Sequence, residues 1–313
     1  MTQSAAATNT ATSNVTPIAN QALYGEQAYL TLLGNILDQG TYRIEKGEEG
    51  RYELFAQPLK FDLSNWTLPL MTTKKTMFKS LATEMLWFLS GSSKVDFLHK
   101  NNVHIWDTWA NEDGEVGPLY GYQWRHWRVD PQVSEKFYDG ASEIDQFANV
   151  MKTLAERPEA RSHMVTAWRP DHLKAMSIKP CHILLQFYRI NDEVSLAMYQ
   201  RSCDSFLGVP FNIAQYSLLT HMVAHQLGCT AKEFTWIGGD VHIYENHVDQ
   251  VREQLTREIL TPPTLKIKRK PDTVFDYTLD DFEVLNYEHA SYLKGDISAQ
   301  GQPGKGVSLE DAA

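Results

Sequence analysis

The sequence predicts one α+β domain, a β-sheet packed with helices. Two observations carry that class. Segments with helical apolar spacing flank an antiparallel strand pair in mid-chain, and no interior stretch has linker composition or repeats another. With 313 residues, 42% hydrophobic and 22% charged, the chain is long enough to bury a sizeable core.

Residues 1–20 carry no charge, and 16 of them are Ala, Thr, Ser, Asn or Gln, so they read as a disordered extension without a secretory or mitochondrial leader pattern. The folded domain is expected over 21–290, and residues 291–313 as a polar, flexible tail. Leu30, Leu33 and Leu37 recur at helical spacing before Gly40, which predicts a first helix over 22–37. Phe78, Leu81, Met85, Phe88 and Leu89 predict a second that stops at Gly91. Ile144, Phe147, Met151 and Leu154 predict a third that stops before Arg157-Pro158. Between these two, Trp106, Trp109, Trp124 and Trp127 follow no period; they either fill a core or line a pocket. Residues 182–190 and 194–200 are aromatic-rich apolar runs joined at Asn191-Asp192, the turn chemistry of a hairpin. Ile213, Tyr216, Leu219, Val223 and Leu227 then place an apolar helix over 212–227, buried on most sides. Residues 234–244 read as a strand in which Gly238-Gly239 marks a bulge or a close backbone approach. A last helix over 245–258 stops before Pro262-Pro263.

Charge and cysteine content narrow the function classes. The 29 basic residues against 39 acidic ones give a net charge of -10, so no global basic field exists and nucleic acid is disfavoured as a main partner. Residues 271–313 hold nine acidic and two basic side chains, so most of that acidity belongs to one end. The apolar run MLWFL at 85–89 falls far short of the roughly 18–20 residues that span a bilayer, and no membrane segment is expected. Three cysteines without CxxC spacing argue against a disulfide framework and a structural zinc site, and fit a reducing cytoplasm. His221 and His225 stand at i and i+4 but lack the Glu of a metalloprotease helix and a third ligand, so they read as structural. GQPGKG at 301–306 lacks the spacing of a phosphate loop. No metal site is expected.

Cys181, in Pro180-Cys181-His182 at the mouth of the first hairpin strand, is either a small buried hydrophobe or a nucleophile. Arg201, followed by Ser202, closes the paired strand, where a guanidinium near the sulfur would favour the thiolate. Asn212 opens the apolar helix. It either caps that helix or presents the donor and acceptor that a uracil edge requires.

These residues lie in longer motifs. YQRSCDSFLGVPFNIAQYSLL at 199–219, PCH at 180–182 and GGDVHIYENH at 238–247 closely resemble the thymidylate synthase family. The likeness extends through LPLMTTKK at 68–75, EMLWFLSG at 84–91, IWDTWANEDGEVGPLYGYQWR at 105–125 and IKRKP at 267–271, and so covers about residues 24–285.

The resemblance implies a mixed sheet whose open face forms a homodimer interface. It implies transfer of a one-carbon unit from 5,10-methylenetetrahydrofolate to C5 of deoxyuridylate (dUMP), with no metal. Cys181 matches the nucleophile that adds to C6, and Arg201 the arginine that supports this sulfur and contacts phosphate. Glu84 matches a general acid/base acting through water, Tyr120 the tyrosine associated with removal of the C5 proton, and Asn212 the uracil-reading amide. Related deoxycytidylate hydroxymethylases place Asp at that last position. On the nucleotide side, His242 and Tyr244 match the pair on the 3'-hydroxyl, and Ser202 and Arg161 belong to the nucleotide site, Arg161 being lent across the dimer. On the folate side stand Trp106, Trp109, Asp204 and Lys74.

Three departures accompany the match. Arg161-Ser162 stands where the family has two adjacent arginines, and Lys46 where it has another arginine, which removes the bidentate fork. KGDISAQ at 294–300 replaces a short aliphatic tail that closes over folate. That tail keeps the second reading open, a dUMP hydroxymethylase in which water captures the methylene intermediate, although Trp106 would shield that carbon. A third reading is a catalytically weakened relative that binds nucleotide or RNA.

Overall fold

The computed structural model describes residues 24–45 and 49–296. The expected extension at 1–20, Lys46, and residues 297–313 of the expected tail lie outside the described residues.

In chain order the elements are α1 (Gly25–Gln39), β1 (Thr41–Arg43), β2 (Arg51–Asp62), α2 (Phe78–Ser90), α3 (Asp96–Lys100), α4 (Tyr120–Arg125), β3 (Trp127–Arg128), α5 (Pro131–Phe137), β4 (Glu143–Ile144) and α6 (Gln146–Glu156). They continue as β5 (Met164–Thr166), β6 (His182–Ile190), β7 (Glu193–Asp204), α7 (Gly208–Leu227), β8 (Thr230–Tyr244), α8 (Val248–Gln254), β9 (Thr264–Ile267) and β10 (Phe282–Leu285). The α+β class holds. Six strands form one mixed sheet in the order β1-β2-β8-β7-β6-β5, all neighbours antiparallel except β7 and β8. A parallel pair needs a crossover, and α7 supplies it, packing along both strands it connects.

Most expected elements appear with shifted ends. α7 begins at Gly208, four residues before the expected start, so Asn212 lies inside the helix and caps nothing. Sixteen residues of α7 are buried on all sides, which explains why its apolar pattern has little direction. The last helix is shorter than expected: 245–247 form a 3-10 turn and α8 ends at Gln254. β8 runs through Gly238-Gly239 without a break. A close approach is the reason for glycine there, since a Cβ at Gly239 would lie 2.7 Å from the Tyr199 hydroxyl and 3.0 Å from the Arg201 carbonyl. His221 and His225 are structural, bonded to the Thr67 carbonyl and the Tyr277 hydroxyl.

One sheet face carries the helices: α1 packs on β2 and β8, and α7 on β7 and β8. On the strands of the other face Met164, Tyr188, Ile190 and Ile237 stand exposed, as does Phe55 at 77%. Side chains alternate across a strand, so β6 puts Leu185 and Phe187 into the core and Tyr188 and Ile190 outside.

Candidate active site

The parallel pair β7 and β8 ends, and α7 begins, at the floor of one cavity that opens to solvent. Cys181 and His182 enter from the start of β6, Glu84 from α2, Tyr120 from the head of α4, and Trp106 and Trp109 from the segment after α3. Gln200, Ser202 and Asp204 arrive from β7, Asn212 from α7, and His242 and Tyr244 from β8. From Gln200 to Asp204, every second residue of β7 therefore faces the cavity, the period-2 alternation of a strand.

Cys181 is half-buried, and its backbone N–H donates to the Tyr120 hydroxyl at 2.9 Å. Tyr120 holds φ at +29°, a backbone setting that L-residues avoid, at the first residue of α4. The next residue is fixed by packing, because a Cβ on Gly121 would stand 1.9 Å from the Phe88 carbonyl of α2. Burial pushes the Cys181 thiol pKa up; the Arg201 guanidinium and the Tyr120 hydroxyl pull it down without reversing that shift. Arg201 thus favours the thiolate, as its place beside the strand mouth suggests, but burial outweighs it. Arg201 spends two guanidinium nitrogens on the carbonyls of Lys179 and Pro180, each at 3.2 Å, and so clamps the turn before the cysteine.

Glu84 is 6% exposed, and its two oxygens accept from Trp106 Nε1 at 2.5 Å and Gln215 Nε2 at 2.6 Å. Both donors favour the carboxylate, yet burial outweighs them and raises the pKa from 4.5 to about 7. A carboxyl poised there can give or take a proton near neutrality.

The orientation of Asn212 follows from a chain of forced choices. An indole N–H only donates, so the Gln200 oxygen faces Trp236 Nε1 at 2.9 Å. Gln200 Nε2 then donates to Asn212 Oδ1 at 3.1 Å, which turns Asn212 Nδ2 toward His182 Nε2 at 3.3 Å. His182 is neutral, its pKa lowered by burial to about 3, so its proton sits on Nδ1 and is donated to the Tyr216 hydroxyl at 2.7 Å. Each internal bond uses half of what the amide offers. One N–H and one lone pair of Asn212 are left for a ligand.

Ten expected site residues line this cavity: Glu84, Trp106, Trp109, Tyr120, Cys181, Ser202, Asp204, Asn212, His242 and Tyr244. Arg201, Arg161 and Lys74 do not. Arg161 is exposed and away from it. Lys74 is buried, with its ammonium on the Phe206 carbonyl and 3.8 Å from that ring, and burial lowers its pKa to about 7. It lines an adjoining cleft with Tyr292 and Leu293, and this cleft shares Ile105, Leu207 and Phe211 with the main cavity. Among the described lining residues of the main cavity there is no Lys or Arg. His182, Gln200 and Tyr216 went unassigned in the sequence; the inward alternation of β7 marks Gln200, and the PCH triplet marks His182.

A free thiol, a carboxyl with its pKa near 7 and an orientation-fixed amide thus meet in one apolar-walled cavity. The thymidylate synthase family model matches residues 27–299. The chain belongs to the thymidylate synthase family. Membership makes it a one-carbon transferase acting on dUMP, of the methylating or hydroxymethylating type. No helix among the described residues is long and apolar enough to cross a membrane.

Proposed function

We propose that the protein converts dUMP to dTMP, with methylenetetrahydrofolate as donor of the one-carbon unit and of hydride. The observation that carries this is the convergence of Cys181, Glu84 and the oriented Asn212 amide on one cavity. Trp106, Trp109, Ile105, Ile178 and Phe211 give flat, apolar walls for a pterin, with Asp204 at their edge. The adjoining cleft with Lys74 suits the folate tail.

Asn212 reads the uracil edge with its remaining N–H and lone pair. The Cys181 sulfur gives up its proton and bonds C6, and the C5–C6 electron pair moves toward C5 and O4, which makes C5 the nucleophile. Glu84, through water, supplies a proton as charge develops on O4. After C5 has taken up the carbon it loses its own proton on the Tyr120 side, and the sulfur leaves at the end. His242 and Tyr244 hold the sugar.

With no Lys or Arg among its described lining residues, the cavity needs positive charge from elsewhere beside a phosphate. Arg201 and Lys46 from this chain and Arg161 from a second copy supply it in this reading, which places the exposed apolar sheet face in a homodimer. The free cysteines suit a cytoplasmic enzyme. The departure of KGDISAQ at 294–300 from an aliphatic closing tail favours, as the second reading, capture of the methylene by water.

dUMP tritiated at C5 is expected to release its label in the presence of methylenetetrahydrofolate, and retention of the label contradicts the proposal. Asn212→Asp is expected to shift the kcat/KM ratio toward deoxycytidylate by at least about 10²-fold, because a carboxyl group reverses the donor and acceptor pattern. Steady-state kinetics on both nucleotides checks this; unchanged discrimination would make Asn212 purely structural.

A further inference from the structure

We propose that His99, His104 and Asp107 form a binding site for a divalent transition metal, zinc by ligand type. His99 Nε2 lies 2.6 Å from Asp107 Oδ1, and His104 Nδ1 lies 3.0 Å from Asp107 Oδ2. One candidate ligand atom from each residue falls within 4.8 Å of the other two. Two imidazoles and a carboxylate are the donors of open three-ligand zinc sites, where water completes the tetrahedron. At zinc bond lengths of about 2.0–2.2 Å, ligand atoms of a tetrahedron stand roughly 3.3 Å apart. The His104 contact needs to open by about 0.3 Å and the His99 contact by about 0.7 Å, within reach of side-chain rotation at exposed positions.

The backbone under the site is already set. His99 lies near the end of α3, and its N–H bonds the Val95 carbonyl at 3.0 Å. Val103 N–H turns the chain back onto the Leu98 carbonyl, and Asp107 N–H closes a turn on the His104 carbonyl. This stacks the His99 and His104 rings with centroids 5.0 Å apart. The side chains are 40–45% exposed, so a metal can reach them without opening the core. The same turn carries Trp106 and Trp109, whose indoles wall the cavity. Metal at this site would tie that wall to α3. No sequence signal announced it, because the ligand spacing of five and three residues straddles a helix end and a turn.

Calorimetric titration of the full chain with zinc sulfate tests the assignment, alongside His99→Ala and His104→Ala variants. Uptake of zinc that each substitution weakens by more than about tenfold is expected, a larger loss than outer-shell partners commonly cause at the low end. Hydrogen exchange is expected to slow on zinc addition in peptides spanning 103–110. Absence of zinc uptake overturns the site and leaves a His–Asp–His hydrogen-bond network. Uptake that survives both substitutions, or protection confined to other segments, also overturns it, since either places the metal elsewhere, for instance on the Cys181 sulfur.

Discussion

Cys181→Ser is expected to lower kcat by more than about 10⁴-fold while the dUMP dissociation constant changes by less than about threefold. The split between the two numbers carries the argument. Serine is close in size to cysteine, and the Cys181 backbone N–H that bonds the Tyr120 hydroxyl is retained, so the cavity keeps its shape. What is lost is a sulfur that can carry negative charge and later leave from C6. A hydroxyl held in the same partly desolvated place, where burial already raises the thiol pKa, is far harder to ionise. Single-turnover kinetics and equilibrium binding of dUMP check the two halves. A variant with substantial turnover would remove the covalent step from the account.

Glu84→Gln is the second large effect, and it moves activity and stability in opposite directions. Loss of an acid/base group is expected to cost about 10²–10⁴-fold in kcat and to erase the limb of the pH–rate profile near pH 7. Stability follows from the sign of the shift. The folded state holds the Glu84 proton more tightly than the unfolded chain, so that contribution is complete below the ordinary value of 4.5. It is lost as pH rises through about 7. At 1.4 kcal/mol per tenfold, the ionised, buried carboxylate costs about 3 kcal/mol at pH 8 relative to pH 4. An amide carries no such cost. It needs one partner reversed, and Gln215 can turn over to offer its Oε1, which is buried without a hydrogen-bond partner in the wild type. Denaturant unfolding at pH 8 is therefore expected to show Glu84→Gln more stable than wild type by up to about 3 kcal/mol. An equally active or less stable variant at that pH contradicts the role assigned to the buried carboxyl.

How much of this was legible in the sequence depends on the distance over which each residue acts. Helix α2 was read nearly to its ends, because its apolar spacing and its Gly91 stop are local. The hairpin β6–β7 was read from the Asn191-Asp192 turn for the same reason, although β7 runs on to Asp204. The start of α7 was missed by four residues. Gly208, Val209 and Pro210 resemble a loop by composition, and they become helical because the turn from Asp204, which accepts the Phe206 and Leu207 N–H groups, aims the chain into the core. Short helices α3, α4 and α5 left no periodic trace among the tryptophans. For the site, motif likeness named ten residues that line the cavity, and also Arg201, Arg161 and Lys74, which do not line it. It gave no view of why Asn212 points as it does. That orientation comes from Trp236, Gln200, His182 and Tyr216, four residues whose roles exist only once β6, β7, β8 and α7 are side by side. The balance at Cys181 was also beyond reach, since charge partners can be guessed from neighbours but burial cannot.

The charge distribution sharpens the same point. An acidic chain can still serve an anionic substrate when acidity is concentrated in residues 271–313 and the cavity itself carries only Glu84 and Asp204 as acids among its described lining residues. One of those acids is poised near pH 7.

The most direct test of the central claim is the mass of the nucleotide product after incubation of the full chain with dUMP and methylenetetrahydrofolate. The account predicts dUMP plus one CH2 group, with one dihydrofolate formed per turnover. A product heavier by a further oxygen, formed without dihydrofolate, would contradict it and make the enzyme a hydroxymethylase.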